Sequence, residues 1–266
     1  MTVTIEKSGP VTTVIHSRPE ARNAMDVDSA EALTEAFLAF DRDPGAAVAV
    51  FWGAGGAFCA GWDLKLAASL AGRPEPLKAL DFPDDGGPAP RGPMGPSRLE
   101  LSKPVIAAVA GPAVAGGFEL ALWCDLRVME EDAYFGVYCR RWGIPLIDGG
   151  TVRLPRLIGQ GRALDIILTG RKVTAEEAYR IGLAERIAPK HRSRDVAEEL
   201  AQEIARFPQG CVRADRRSAR SQHGLPLADA LKQEWETSVR LVEEEGAAGA
   251  ARFSAGRGRH GDFGSI

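Results

Sequence analysis

Two carboxylates stand in surroundings that make them conspicuous. Glu119 interrupts the apolar run Phe118-Glu119-Leu120-Ala121-Leu122, and Asp148 precedes Gly149-Gly150-Thr151. Burying a carboxylate without a partner is costly. Glu119 therefore needs a compensating partner such as an arginine, or a use for the raised pKa that burial brings, as an acid or a base. Asp148 has two readings. It is a second acid/base group, or it is the N-cap of the helix that follows. Two glycine-rich turns, 57–64 and 111–119, each follow an apolar stretch and lead toward a helix. N–H groups at a helix start lack intrahelical partners and favour negative charge, so two that converge could hold one oxyanion. Two tight turns with no further role are the plainer reading. There is no GxxxxGK[ST] loop, no GxGxxG after a strand and no GxSxG elbow, which leaves phosphate-loop, nicotinamide and nucleophile-elbow chemistry without a motif.

The elements that must position these residues alternate in the first half of the chain. Val11 to His16 reads as a β-branched strand. Asp28 with Glu31 forms a capping-box pattern, followed by Leu33, Ala36, Phe37 and Phe40 at helical spacing. The apolar runs 47–52 and 105–109 are short enough for buried strands. A helix is expected over about 117–123, and strands over 125–129 and 133–137. The segment 72–97, rich in proline and glycine, reads as a long irregular connection and a candidate mobile lid. Beyond Thr151 the pattern is mostly helical, with helices at 193–207 and 227–245; the stretch from Gly256 reads as frayed or ordered by ligand. Strands interleaved with helices, then helices alone, predict an α/β core with a helical C-terminal extension.

With 266 residues the chain can bury a core without staples. Its 33 Lys and Arg against 36 Asp and Glu give a formal charge of −3, which argues against a nucleic-acid arm or a polybasic membrane patch. Four cysteines (Cys59, Cys124, Cys139, Cys211) and four histidines (His16, His191, His223, His260) are scattered without zinc-ligand spacing, so no metal site is expected. Free thiols and the absence of a secretory pattern fit a reducing cytoplasm. The most membrane-like stretch, 105–124, carries Pro112 and Glu119 and reads as buried strand, turn and helix.

Motifs in order along nearly the whole chain resemble the crotonase (enoyl-CoA hydratase/isomerase) superfamily. They are Ser17-Arg18-Pro19-Glu20-Ala21-Arg22-Asn23-Ala24-Met25, the two glycine turns, Leu120-Ala121-Leu122-Trp123-Cys124-Asp125-Leu126-Arg127-Val128, the run from Gly149-Gly150-Thr151 to Gly159, and Thr169-Gly170 with Gly182-Leu183-Ala184. The resemblance implies an α/β, crotonase-like spiral of strand-strand-helix turns with a helical C-terminal region. Residues 1–194 are expected as the acyl-CoA-binding core, and 195–266 as the region for oligomerisation and active-site cover. It further implies stabilisation of a thioester enolate on an acyl-CoA, with the N–H groups of Trp62 and Gly116 as the oxyanion hole. Arg22, Ala24, Ala60, Asp63, Leu64 and Lys65 match positions around the nucleotide and pantetheine. Phe253 and Arg257 match C-terminal positions that close over the adenine or pack between subunits. The expected assembly is a homotrimer or a dimer of trimers, with no membrane or nucleic-acid partner. No cofactor is implied beyond the coenzyme A of the substrate.

The sequence also departs from the hydratase pattern. Glu119 matches the first of two glutamates. The second belongs to Phe-Gly-x-Pro-Glu, and counting from Phe135-Gly136 its position is Cys139. A neutral thiol replaces a carboxylate poorly; Cys139 is an inert pocket residue, or a reactive one if Arg140 lowers its pKa. Asp148 occupies a position from which dienoyl-CoA isomerases and a dehalogenase of the family direct an aspartate at the acyl group. Trp62 and Trp142 narrow the acyl site or stack on the acyl group, unless Trp142 is core packing. Arg140 and Arg141 read as scaffold ahead of substrate anchors. The function expected is a hydro-lyase or isomerase with non-standard acid/base residues. A thioesterase, decarboxylase or dehalogenase, and a non-catalytic CoA-ester or RNA-binding relative, stand as alternatives.

Overall fold

The computed structural model describes residues 2–70, 72–73, 75–258, 260 and 264. The expectations for the 72–97 segment and for the stretch from Gly256 fall partly outside the described residues. In chain order the elements are β1 (Val3–Ser8), β2 (Val11–His16), α1 (Val27–Arg42), β3 (Val48–Gly53), α2 (Leu64–Ser69), α3 (Glu75–Lys78), β4 (Val105–Val109), β5 (Pro112–Val114), α4 (Gly116–Trp123), β6 (Leu126–Glu130) and β7 (Tyr134–Gly136). Then follow α5 (Gly150–Ile158), α6 (Gln160–Thr169), β8 (Lys172–Thr174), α7 (Ala175–Arg180), β9 (Arg186–Ala188), α8 (Ser193–Ala205), α9 (Gln209–Ser221), α10 (Leu227–Leu241) and α11 (Ala247–Ser254).

Among the described residues, nine strands form two sheets. The larger has the order β1-β2-β3-β4-β6-β9, and the smaller β5-β7-β8. Within the larger sheet only β1 runs antiparallel to its neighbour. The chain passes from the large sheet to the small one twice, through β4-β5 and β6-β7, and this gives the expected spiral of strand, strand and helix. Side chains of a strand alternate between faces, and both faces of this sheet are covered. Ala49, Phe51, Ala107, Val109 and Met129 pack inward with Leu33, Phe37 and Trp123. Val48, Val50, Ile106 and Val128 face the other way, onto Ala197 and Ala201 of α8. The region that begins at 195 therefore starts inside a helix that covers the sheet.

Helix α1 buries Ala30, Leu33, Phe37 and Phe40 at three- and four-residue intervals, as expected for one apolar stripe. Its cap differs from the expectation. Asp26, not Asp28, is the N-cap, and its carboxylate accepts the Ser29 N–H at 2.8 Å. The structure places Asp28 inside the first turn, where a carboxylate still complements the helix dipole.

The proline-rich segment is not a uniform lid. Its last part, from Pro93 to Ser97, is buried. Gly92 and Gly95 exchange backbone hydrogen bonds of 3.0 and 2.9 Å, which form a tight hairpin with Pro93 and Met94 at its tip. Composition alone suited an open loop; the hairpin is buried because Met94 joins the inward core.

Candidate active site

Strand β2 ends in a loop that is tied to the first glycine turn. Arg18 donates to Ala24 O at 2.5 Å and pairs with Asp63 at 3.2 Å. Asn23, buried and in the left-handed region at φ 58°, donates to the carbonyls of Ala54 (2.7 Å) and Ala57 (2.6 Å). Asparagine tolerates that conformation through such local bonds. These ties bring a parallel bridge between Met25 and Trp62. Met25 N donates to Gly61 O (2.8 Å) and Asp63 N donates to Met25 O (2.9 Å). Peptide groups alternate in direction along an extended segment, so the Trp62 N–H points away from Met25, and no described residue accepts it.

The second glycine turn lies directly against this one: Cys59 bridges Ala113 of β5, and Val114 N donates to Cys59 O at 3.0 Å. Ala115 N donates to Gly136 O at 2.8 Å, and Ala115 itself has φ 54° and ψ −126°. A non-glycine residue held at positive φ carries backbone strain, which tends to collect at functional sites. The strained turn starts α4 at Gly116, whose N–H has no partner among the described residues. Gly61, at φ +92°, lies against it: a Cβ there would be 3.1 Å from Gly116 N and 2.8 Å from Ala115 Cβ. The two free N–H groups therefore belong to neighbouring peptides.

Trp62 and Gly116 both line one open cavity, with Ala60, Leu64, Met94, Glu119, Tyr138, Cys139, Trp142, Ile144, Ile147 and Asp148 among others. Eight of the twelve expected site residues are thus collected. The other four lie beside this lining rather than in it. Arg22 O accepts the Ala60 N–H at 3.0 Å, Ala24 sits on the Arg18-tied loop, Asp63 caps α2 by accepting Lys65 N at 2.9 Å, and the Lys65 side chain is exposed. Phe253 and Arg257, near the end of α11, do not line the cavity.

The carboxylates carry the geometry. Glu119 is 3 % exposed, and its Oε1 accepts the N–H groups of Asp148 (2.9 Å) and Gly150 (2.8 Å). It has no ion-pair partner among the described residues, so the compensating arginine is absent and backbone donors take its place. Burial, then the neighbouring Asp148 charge, pushes its pKa up to about 7. Asp148 is 4 % exposed, and its Oδ1 accepts Met94 N at 3.0 Å and the Ser97 hydroxyl. Burial raises its pKa as well. Neither Glu119 Oε2 nor Asp148 Oδ2 takes a hydrogen bond from a described residue, and neither is sealed off.

The structure corrects the capping reading of Asp148. The N-cap of α5 is Gly149, at φ 96°, with no side-chain cap. Asp148's carboxylate turns away to Met94 and Ser97, and Glu119 satisfies the helix start from another element. Cys139 is 7 % exposed, and burial and Glu119 raise its thiol pKa against the weaker opposing effect of Arg140. A thiolate is thereby disfavoured. Arg140 donates to Ile167 O at 3.3 Å, Arg141 lies over the Tyr138 ring at 4.4 Å, and neither lines the cavity. Trp142 is 64 % exposed and stands on the cavity wall, which excludes the core-packing reading. Met94 and Ser97 had no motif to reveal them; each reaches the site through a contact of more than fifty residues' separation. Arg153 lies in the Gly149–Gly159 run, but nothing there marked its fork to Asp148 O and Ser97 O.

A spiral of two sheets that sets two unpaired N–H groups beside two buried carboxylates suits an enzyme that stabilises an oxyanion. A family model described as enoyl-CoA hydratase/isomerase matches residues 6–85 and 94–257. The chain is 35 % identical over 250 residues to enoyl-CoA hydratase EchA19 of Mycobacterium tuberculosis, covering 91 % of this chain and 89 % of that one. It is 37 % identical over 231 residues to a carnitinyl-CoA dehydratase of Salmonella arizonae, covering 86 % and 84 %. The crystal structure of enoyl-CoA hydratase EchA1 from Mycobacterium marinum superposes with a TM-score of 0.85 at 31 % identity, covering 96 % of each chain. The chain belongs to the enoyl-CoA hydratase/isomerase family and is an acyl-CoA enzyme with the crotonase fold.

Proposed function

We propose that this enzyme adds or removes water, or shifts a double bond, on an acyl-CoA through a thioester enolate. One observation carries the reading: two carboxylates, each with one oxygen unbonded, and two residues with unpaired N–H groups line a single, mostly apolar cavity. Trp62 N–H and Gly116 N–H receive the thioester oxygen as negative charge develops on it, and α4 presents its positive end there. Glu119 and Asp148 exchange protons with the acyl carbons, and Asp148 replaces the carboxylate missing at Cys139 from a different stretch of backbone. In hydration one carboxylate takes a proton from water as its hydroxyl joins the β-carbon, and the other, protonated, delivers a proton to the α-carbon; dehydration reverses both. The relatives named as a hydratase and a dehydratase support water chemistry over isomerisation.

Arg22 and Lys65, beside the cavity, are the groups proposed to meet the phosphates of coenzyme A. Helix α10 leaves Leu227, Leu231 and Trp235 exposed, which supports burial between subunits of a homotrimer.

The deciding experiment is mass spectrometry of a 2-enoyl-CoA incubated with the protein in deuterated water. Gain of one water molecule is the expected result. Deuterium exchange without that gain moves the reading to isomerisation. No change on any enoyl-CoA tried overturns the reading and favours hydrolysis, decarboxylation or a binding role.

A further inference from the structure

Asp148 is held by groups that belong to neither glycine turn. The hairpin at residues 92–95 delivers the Met94 N–H to Asp148 Oδ1 at 3.0 Å, and the following turn delivers the Ser97 hydroxyl to the same oxygen. Backbone space at the hairpin is tight on both sides. A Cβ on Gly92 would lie 2.6 Å from Asp148 Oδ1, and one on Gly95 would lie 2.6 Å from Ala30 O of α1. The hairpin is thus wedged between α1 and the carboxylate it serves.

Arg153, on α5, locks the two strands of chain together. Its Nη1 donates to Asp148 O at 2.9 Å and its Nη2 donates to Ser97 O at 2.8 Å. Both acceptors are carbonyls, and the guanidinium has no ion pair within 4 Å among the described residues. A planar fork fixes two acceptors at a set separation, as a single ammonium cannot. Here the two acceptors belong to the residue with the carboxylate and the residue with the hydroxyl.

We infer that Ser97 and Arg153 are positioning residues that fix Asp148 with Oδ1 bonded and Oδ2 open to the cavity. The inference deepens the acyl-CoA reading above and rests on it for the catalytic meaning of Asp148. The charged and titratable groups around Asp148 are Glu119 on α4, Arg153 on α5, Arg98 beside Ser97, and Cys59 in the first glycine turn. Of the two donors on Oδ1, only Ser97 is a side chain. Ser97 itself is 1 % exposed.

The test is Ser97→Ala, a change that removes atoms and adds none. Two measurements are made on it. One is the titration of the Asp148 carboxyl by infrared difference spectroscopy, the band being assigned by its loss in Asp148→Asn. The other is the pH profile of α-deuterium exchange on an acyl-CoA. Losing a donor to the ionised form moves the Asp148 midpoint up by about one pH unit. Exchange on the acid side of that midpoint falls about tenfold, KM stays within about twofold, and Ser97→Thr restores both readouts. Arg153→Lys, which keeps the charge and loses the fork, shifts the midpoint in the same direction and serves should a Ser97 variant fail to fold. An unmoved midpoint in a folded Ser97→Ala or Arg153→Lys overturns the inference. The infrared titration needs no substrate. A shifted midpoint in a protein that exchanges no acyl-CoA proton therefore upholds the positioning and sinks the acyl-CoA reading, while normal exchange with an unmoved midpoint does the reverse.

Discussion

Glu119 Oε1 accepts the backbone N–H of Asp148 at 2.9 Å, so one carboxylate candidate holds the peptide that carries the other. The same oxygen takes the Gly150 N–H and anchors the start of α5. Glutamine keeps a carbonyl oxygen for both bonds but cannot transfer a proton as a carboxyl group does. Glu119→Gln should therefore fold, bind CoA esters with affinity within about twofold, and lose about a hundredfold or more in turnover. Steady-state kinetics beside a CoA-ester titration check this. Turnover within a few-fold of the parent would reduce Glu119 to a helix anchor.

Asp148 and Cys139 make opposite predictions. The amide side chain of an Asp148→Asn variant keeps an oxygen for Met94 and Ser97, so the fold should hold while turnover drops about a hundredfold or more at unchanged CoA affinity. Burial holds the Cys139 thiol in its protonated form near neutral pH. Cys139→Ala should leave turnover within about threefold. The comparison is made at saturating substrate with both variants. Collapse of Cys139→Ala alongside an active Asp148→Asn would reverse the assignment of the second group.

Adjacent glycines should fail in different ways. A Cβ on Gly116 meets Met94 Sδ at 2.5 Å, the far part of a flexible side chain. A Cβ on Gly117 meets the Cys59 carbonyl oxygen at 2.1 Å, and backbone cannot step aside. Gly116→Ala should fold and lose about a hundredfold in kcat/KM, because its methyl displaces Met94 at the proposed oxyanion site. Gly117→Ala should lose several degrees in Tm or fail to fold. Thermal melts and kinetics on the pair separate the two effects; a Gly116→Ala enzyme of full activity would remove Gly116 from the oxyanion hole.

The sequence carried the architecture because both covered faces of the large sheet read as continuous apolar runs, and the glycine turns have the spacing of a known family. It also carried Glu119, as a charge inside an apolar helix. It left Asp148 ambiguous, because an aspartate before Gly-Gly-Thr has the local signature of a cap whether or not it caps. The deciding contacts come from Met94 and Ser97, more than fifty residues away in a segment whose proline and glycine content masked its burial. Asp26 displaced Asp28 as the cap of α1 for a related reason. Several acids near a helix start satisfy the same pattern, and only the extended backbone at residue 26 selects one.

Two buried groups should oppose each other in the pH dependence of stability. His16 is fully buried, with no hydrogen bond to Nδ1 or Nε2 among the described residues, and burial, then Arg18, lowers its pKa from 6.5 to about 4. Its folded pKa lies below its unfolded one, so its contribution is intact above pH 6.5 and is lost as pH falls toward 4. Glu119 is raised from 4.5 to about 7, so its contribution is intact below pH 4.5 and is lost as pH rises toward 7. Each shift corresponds to about 3 kcal/mol, and across the shared window the two nearly cancel. Removing either should unmask the other. Relative to the parent, Glu119→Gln should gain stability as pH rises from 4 to 7, while His16→Leu should gain it as pH falls over the same range. Denaturant unfolding of all three proteins at several pH values checks the slopes. A His16→Leu protein whose stability tracks the parent across this window would show that His16 does not titrate there.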